Sequence, residues 1–171
     1  MATGMFRQIE WFILIFGYRI ARMSSAHIRP VVSADFNQWR RLYQGYADFY
    51  QVALSDDGVK TTWSWLIEPA HVCTGLVAEQ PDGLVGLAHF RGMPSPLRGQ
   101  MIGFLDDLFV TPVHRSDGIA AALITAVRAE AIAQGWGVLR WITRDNNYRA
   151  RGLYDKLAQK TDWTLYEMTA T

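Results

Sequence analysis

The chain has 171 residues, half of them apolar and 13% aromatic, with 17 Lys and Arg against 16 Asp and Glu for a net charge of +1. That length suits one domain with a substantial core, and the apolar content argues against extended disorder. A balanced charge, with the basic residues spread along the chain, excludes the clustered excess that a nucleic-acid surface needs. The single Cys73 rules out an internal disulfide, and His27, His71, His89 and His114 show no metal-ligand spacing, so no metal is expected. Cys73 itself reads as a small core residue on a strand rather than as a thiol nucleophile.

Residues 1–22 stand apart. Trp11 to Phe16 is a dense apolar run, broken by Gly17 and flanked by Arg7, Arg19 and Arg22. It falls far short of the roughly 20 residues that cross a bilayer, so no membrane span is expected. A basic start and the small residues Ser24-Ser25-Ala26 faintly resemble a signal peptide. The favoured reading is an appendage outside the domain, with Met23 as an alternative start and the domain running from 23 to 171. As a helix it would cover its aromatics against the body or a second subunit.

His27 to Val32 reads as a first strand that enters a helix through Ser33 as N-cap. Residues 34–53 place Phe36, Trp39, Leu42, Tyr43, Tyr46, Phe49 and Tyr50 at threes and fours, an amphipathic helix with an aromatic stripe. Ser55 to Gly58 is a turn, and Val59 to Ile67 a second helix carrying Trp63 and Trp65. His71 to Glu79 and Leu84 to Phe90 alternate around Pro81-Asp82-Gly83 as a hairpin. A Gly92 to Pro96 loop precedes a strand from Met101 to Val110. Then come a helix from Gly118 to Gln134, a strand from Val138 to Thr143, a helix from Asn147 to Leu157 and a last strand from Thr164 to Met168. The order β-α-α-β-β-β-α-β-α-β predicts a mixed α/β domain, a central sheet with helices on both faces.

Two segments carry chemistry. After the apolar strand Leu105 to Val110, Arg115-Ser116-Asp117-Gly118-Ile119-Ala120 opens an Ala-rich helix. Such a loop aims several backbone N–H groups at one point, at the positive end of a helix dipole, and so can cradle a phosphate. About thirty residues later Asn147, Ala150 and Tyr154 fall at i, i+3 and i+7, on one helix face.

In order and spacing the pair resembles the motifs of the GNAT-superfamily N-acetyltransferases over residues 27–168, closest in pattern to the diamine and the yeast-type protein and amino-acid acetyltransferases. The resemblance implies a mostly antiparallel mixed sheet in which two strands splay apart to bind acetyl-CoA as cosubstrate. Leu108, Phe109 and Val110 would hold pantetheine by their backbone, and Arg115, Ser116, Asp117, Gly118, Ile119 and Ala120 the diphosphate, with Asn147 and Ala150 beside them. Tyr154 would be the proton donor to the departing thiolate, since a phenol of reference pKa about 10 is protonated at neutral pH.

The base is more ambiguous. Polyamine-type relatives carry a carboxylate at the first acidic position of Leu-Glu-Asp-Phe-Phe-Val, where Asp106 stands here. A carboxylate near pKa 4 is a poor direct base for an ammonium near 10, so a water relay, a raised pKa or plain attraction of the cation is implied. Adjacent residues of a strand face opposite sides, so only one of Asp106 and Asp107 should enter a given pocket. A salt bridge from Asp106 to Arg140 or Arg144 is the architectural alternative, and Glu79 a remaining base candidate. Tyr43, Tyr46, Tyr50 and Trp63, with Asp107, are expected to line the acceptor pocket, where aromatic faces suit an organic cation.

The expected function is acetyl transfer to a primary amine of a small molecule by direct attack in a ternary complex, in the cytoplasm and as a homodimer. A protein-lysine or N-terminal acetyltransferase, and a non-catalytic acyl-CoA-binding regulatory domain, are the alternatives.

Overall fold

The computed structural model describes residues 26–170, and the reading of residues 1–22 lies outside them. Five strands lie in the order β1 (His27–Pro30), β2 (Cys73–Gln80), β3 (Gly83–Ser95), β4 (Gln100–Val110) and β5 (Leu139–Trp141). The first four pair antiparallel, and β5 joins β4 in parallel. Helices α1 (Phe36–Tyr50) and α2 (Asp56–Ile67) follow β1, α3 (Ile119–Ala133) links β4 to β5, and α4 (Tyr148–Leu157) comes last.

Two apolar clusters, one on each face of the sheet, hold these layers together. Val127 and Leu123 of α3 join Ile119 and Ile124 against Ala88, Phe90, Leu105 and Val110. On the opposite face Trp39 and Leu42 of α1, with Val59 and Leu66 of α2, pack on Val77, Leu87 and Phe109. Each fully buried Leu, Val or Phe contributes roughly 1.5–3 kcal/mol. Alternation along β3 feeds both clusters, Leu87 to one and Ala88 to the other. Helix α1 lies very close to β4 because Gly45 has no side chain; a Cβ there would sit 2.8 Å from Cζ of Phe109.

Four local expectations are corrected. Ser33 caps nothing: residues Ser33–Asp35 form a 3-10 turn, and Asp35 accepts from the Val32 N–H at 2.9 Å. Ser55 is not a mere turn residue but the N-cap of α2, accepting from the Gly58 N–H at 3.0 Å. The loop expected at 92–96 is strand, since β3 continues in register with β4 as far as Ser95; the Gly and Pro there bend the strand's polar end without breaking the ladder. The last strand, Thr164–Met168, does not form, and Trp163, Leu165, Tyr166 and Met168 are exposed.

The start of α1 is pinned by one ionic knot. Arg29 of β1 donates to both carboxylate oxygens of Asp35, at 2.6 and 2.9 Å, and to Glu79 on β2 at 2.8 and 3.1 Å. Asp35 is buried, and the Arg29 guanidinium holds its carboxyl below the usual range. Asp35→Asn should cost about 1–3 kcal/mol of stability at neutral pH. A depressed native pKa stabilises above the unfolded value and ceases to as pH falls through the native one, so the gap between wild type and mutant should close below about pH 4. Urea unfolding at a series of pH values checks this; a gap that stays constant down to acid pH contradicts it.

Candidate active site

One extra residue in β4 sets the geometry of the site. His89 of β3 pairs with Asp107 and Phe90 with Leu105, so Asp106 is a bulge without a partner on β3. A bulge spoils simple alternation and re-aims the strand. Leu105 faces the α3 cluster, while Asp107 meets His89 under α1. Asp106 meets Arg91, whose guanidinium gives 3.2 and 3.1 Å contacts to its two oxygens. Both carboxylates also act on the Cys73 thiol. The expectation that adjacent acids must face opposite sides is thus overturned. The partner of Asp106 is Arg91, not Arg140 or Arg144, and Glu79 is tied up with Arg29.

Beyond the bulge β4 parts from β5. Their ladder has three pairs, Gly103↔Leu139, Phe104↔Arg140 and Leu105↔Trp141, and β4 runs on to Val110 without a neighbour on that side. The gap opens into a cleft of about 620 Å³. Leu108, Phe109 and Val110 line one wall, and Asn147, Ala150 and Tyr154 of the α4 region the other.

The floor of the cleft is an anion cradle. Ser116 and Gly118 both adopt left-handed backbone, with φ of 76° and 80°. Gly118 is the N-cap of α3 and no side chain caps that helix. The first backbone bond back to it comes from Ala122, at 3.0 Å, and Gly118, Ile119, Ala120 and Ala121 all line the cleft. Their N–H groups are the ones a helix leaves without an internal partner. His114, Arg115, Arg149 and Lys156 line the cleft too, and among the described residues no Asp or Glu does. This cationic surface with free donors fits a diphosphate; Asp117 is not part of it. Arg115 is held by its own bond to the Val110 carbonyl at 3.1 Å and lies over the Phe49 and Phe109 rings. Arg149 donates to the Ser116 hydroxyl at 2.9 Å, bridging cradle and α4.

Asn147 caps α4, its side-chain oxygen accepting from the Ala150 N–H while its amide donates to Thr143 at 3.0 Å. That cap fixes the first turn of the helix that carries Tyr154. Burial pushes the Tyr154 phenol up to about 12, and its ring meets Trp141 edge-on at 5.5 Å. Tyr154 and Asp106 share a small recess at the inner end of the cleft with Tyr46, Tyr50 and Trp141. Desolvation raises the pKa of Asp106, and Arg91 opposes that rise.

Of the four aromatic residues expected at the acceptor pocket, Tyr46 and Tyr50 line the cleft. Tyr43 stacks between Trp39 and Tyr46, and Trp63 packs on Phe36 and Trp39 in the core. Arg144 donates to the Tyr50 carbonyl at 3.0 Å and lies over its ring, tying the end of α1 to the loop after β5. Cys73 is pushed up to about 11 by burial and the two acids, so its thiolate is scarce at neutral pH. Among the described residues no group of His, Cys, Asp and Glu is arranged to hold a metal. Sequence reasoning missed Arg91, Arg149 and His89. Only His89 gave a signal, as the one titratable group in the apolar run from Leu84 to Phe90.

Against this geometry the comparisons are decisive. Residues 39–158 match the model of the acetyltransferase (GNAT) family. The chain belongs to that family. It is an N-acetyltransferase of the GNAT type. It is 28% identical over 142 residues to the D-amino-acid N-acetyltransferase HPA3 of Saccharomyces cerevisiae, covering 82% of this chain and 88% of that one. It is 29% identical over 147 residues to the thialysine N-epsilon-acetyltransferase of Bos taurus, covering 79% and 84%. Among solved structures, the aminoglycoside N-acetyltransferase AAC(6')-Iy in complex with a CoA bisubstrate analogue superposes with a TM-score of 0.74 at 20% identity. That match covers 86% of this chain and all of the other, and shows the shared GNAT fold.

The Arg91 contact makes a direct prediction. With the guanidinium gone, desolvation acts on Asp106 unopposed, so Arg91→Met should move the Asp106 pKa further upward. Carbon-13 carboxyl titration by NMR reads this; a downward or absent shift would mean that the two side chains do not interact in solution.

Proposed function

We propose that this GNAT enzyme transfers an acetyl group from acetyl-CoA to a primary amine of a small molecule, by direct attack while both substrates are bound. One observation carries the reading. Among the described residues, a single cleft has an uncapped helix end and only cationic charged side chains on its outer part, and a protonated phenol beside the Asp106 carboxylate at its inner end. Acetyl-CoA, when bound, supplies an activated thioester. Leu108 to Val110, beyond the last β5 pair, present their cleft-facing backbone to its pantetheine arm, and the Arg115–Ala120 loop with Arg149 receives the diphosphate. Tyr154 keeps its proton at neutral pH and gives it to the leaving thiolate. Asp106 and Asp107 draw in the ammonium, and Asp106 passes the amine's proton on through water. Cys73, protonated and outside the cleft lining, supports direct attack over a thioester intermediate.

A small acceptor is favoured over a protein lysine or an N-terminus. The inner end beside Asp106 is a small recess lined by Tyr46, Tyr50, Trp141 and Tyr154, with Arg144 tied to the Tyr50 carbonyl, which suits a small acceptor. The names of the yeast and bovine relatives, which act on a D-amino acid and on thialysine, point the same way. A non-catalytic acyl-CoA-binding role is disfavoured by the donor and acids standing together. Acetyl-CoA as substrate supports a cytoplasmic enzyme. No helix among the described residues is long and apolar enough to cross a membrane.

The test is thiol release from acetyl-CoA across a panel of diamines, D-amino acids, ornithine and thialysine. Tyr154→Phe should lower turnover by about 10- to 1000-fold with acetyl-CoA affinity little changed, because a proton donor acts mainly in the transition state. Wild-type turnover in that variant would return Tyr154 to a packing role. The homodimer belongs to the same reading. Trp163, Leu165, Tyr166 and Met168 are exposed, and β5 has an open outer edge among the described residues. An extended tail of one copy would cover both on another. Truncation after Lys160 should convert the dimer to monomer in sedimentation velocity; a truncated chain that still sediments as a dimer removes the tail from the interface.

A further inference from the structure

A hydrogen-bonded chain runs from the core to Asp107 through Trp39 and His89, two buried residues that have no part in the mechanism above. The Trp39 indole N–H donates to Nε2 of His89 at 2.9 Å, and Nδ1 of His89 lies 2.8 Å from Oδ2 of Asp107. Trp39 is wholly buried and His89 is 1% exposed. An indole N–H can only donate, so Nε2 must offer its lone pair and the ring proton sits on Nδ1, pointing at the carboxylate. The ring cannot swing away, because Trp39 and Tyr43 press on it at centroid distances of 5.9 and 5.4 Å.

The two acids therefore differ in what holds them. Asp106 is paired with a guanidinium, which cancels its charge. Asp107 accepts from neutral donors, the His89 Nδ1–H at one oxygen and the Tyr46 hydroxyl, which orient it without supplying a compensating cation. Its side chain keeps 22% of its surface accessible, and Tyr46, which lines the cleft, stands beside it. We infer that His89 is a positioning residue: locked by Trp39 in its Nδ1–H tautomer, it fixes the Asp107 carboxylate as the anchor for the acceptor's ammonium. The inference rests on the acetyltransferase reading and assigns the acceptor-binding charge to Asp107, with Asp106 left to proton handling. It also specifies the acceptor class as a cation, since a neutral donor behind a carboxylate leaves net attraction only for positive charge.

Two variants of one residue separate positioning from packing. Asn at position 89 carries an N–H at about the place of Nδ1, whereas Leu does not. With ornithine as acceptor, His89→Leu should raise the amine KM by about 10- to 100-fold, with the acetyl-CoA KM unchanged and kcat altered far less. His89→Asn should recover most of that loss. Nitrogen-15 NMR of labelled histidine should show His89 as the Nδ1–H tautomer in the wild type and a tautomer mixture in Trp39→Phe. Equal ornithine KM in the Asn and Leu variants, or a His89 resonance of the Nε2–H tautomer, overturns the inference. If His89→Leu does not fold, the wild-type tautomer and the Asn variant still decide it: a folded His89→Asn variant with an ornithine KM as poor as that of Asp107→Asn counts against positioning. Failure of the wild type to acetylate any amine would strike at the acetyltransferase reading instead. Calorimetric binding of ornithine to the CoA-loaded wild type and His89→Asn would then judge the anchor alone, with binding lost in Asp107→Asn as the supporting result and binding unchanged there as the opposing one.

Discussion

The bulge at Asp106 is the constraint on which the site depends. A strand in perfect register would send neighbouring side chains to opposite faces and keep β4 alongside β5. One unpaired residue does away with both. It puts two carboxylates within reach of Arg91, His89 and Cys73, and it precedes the point where β4 turns from β5. The exposed backbone of Leu108 to Val110 follows from that parting, and so does the space for α4 to bring Tyr154 opposite. Burying two acids near a core strand is costly unless each has a donor, and the neighbouring strand β3 supplies one for each.

Charge divides the cleft along its length. The outer part has His114, Arg115, Arg149 and Lys156 with the N–H groups of the first turn of α3, and Asp106 lines the inner end. Among the described residues, a polyanion can lie on the outer part without meeting a carboxylate, while the inner end offers the Asp106 carboxylate, paired with Arg91. Near-zero net charge for the whole chain hides this separation, because it is a matter of placement rather than of composition.

Much of the architecture was legible in the sequence. The 3.6-residue stripe through Ile119, Leu123, Val127 and Ala131 is the buried face of α3, and the alternation from Leu84 to Phe90 is a central strand. The cradle was legible because Gly118 and the Ala-rich turn after it are local devices. What could not be read was long-range or depended on a count. A bulge shows no local signature, since Asp106 looks like any strand residue until its register against β3 is known. Arg91, fifteen residues away, is likewise visible only through that register. The last strand does not form: Trp163 to Met168 has the composition of a strand, but the segment pairs with no strand of the sheet and its large apolar side chains are exposed.

Helix α4 has no fully buried residue, and β5 touches the sheet at three register pairs. Local unfolding begins where buried contacts are fewest. The wall that carries Tyr154 is therefore lightly anchored, joined to the rest by Leu153 and Tyr154 against the α3-side cluster, the Asn147 bond to Thr143 and two arginine bridges, Arg144 to Tyr50 and Arg149 to Ser116. Anything that fills the gap touches both walls at once and acts as the missing stretch of sheet. Amide exchange in α4 then reports on occupancy of the cleft, while exchange in α3 reports on the global stability of the fold.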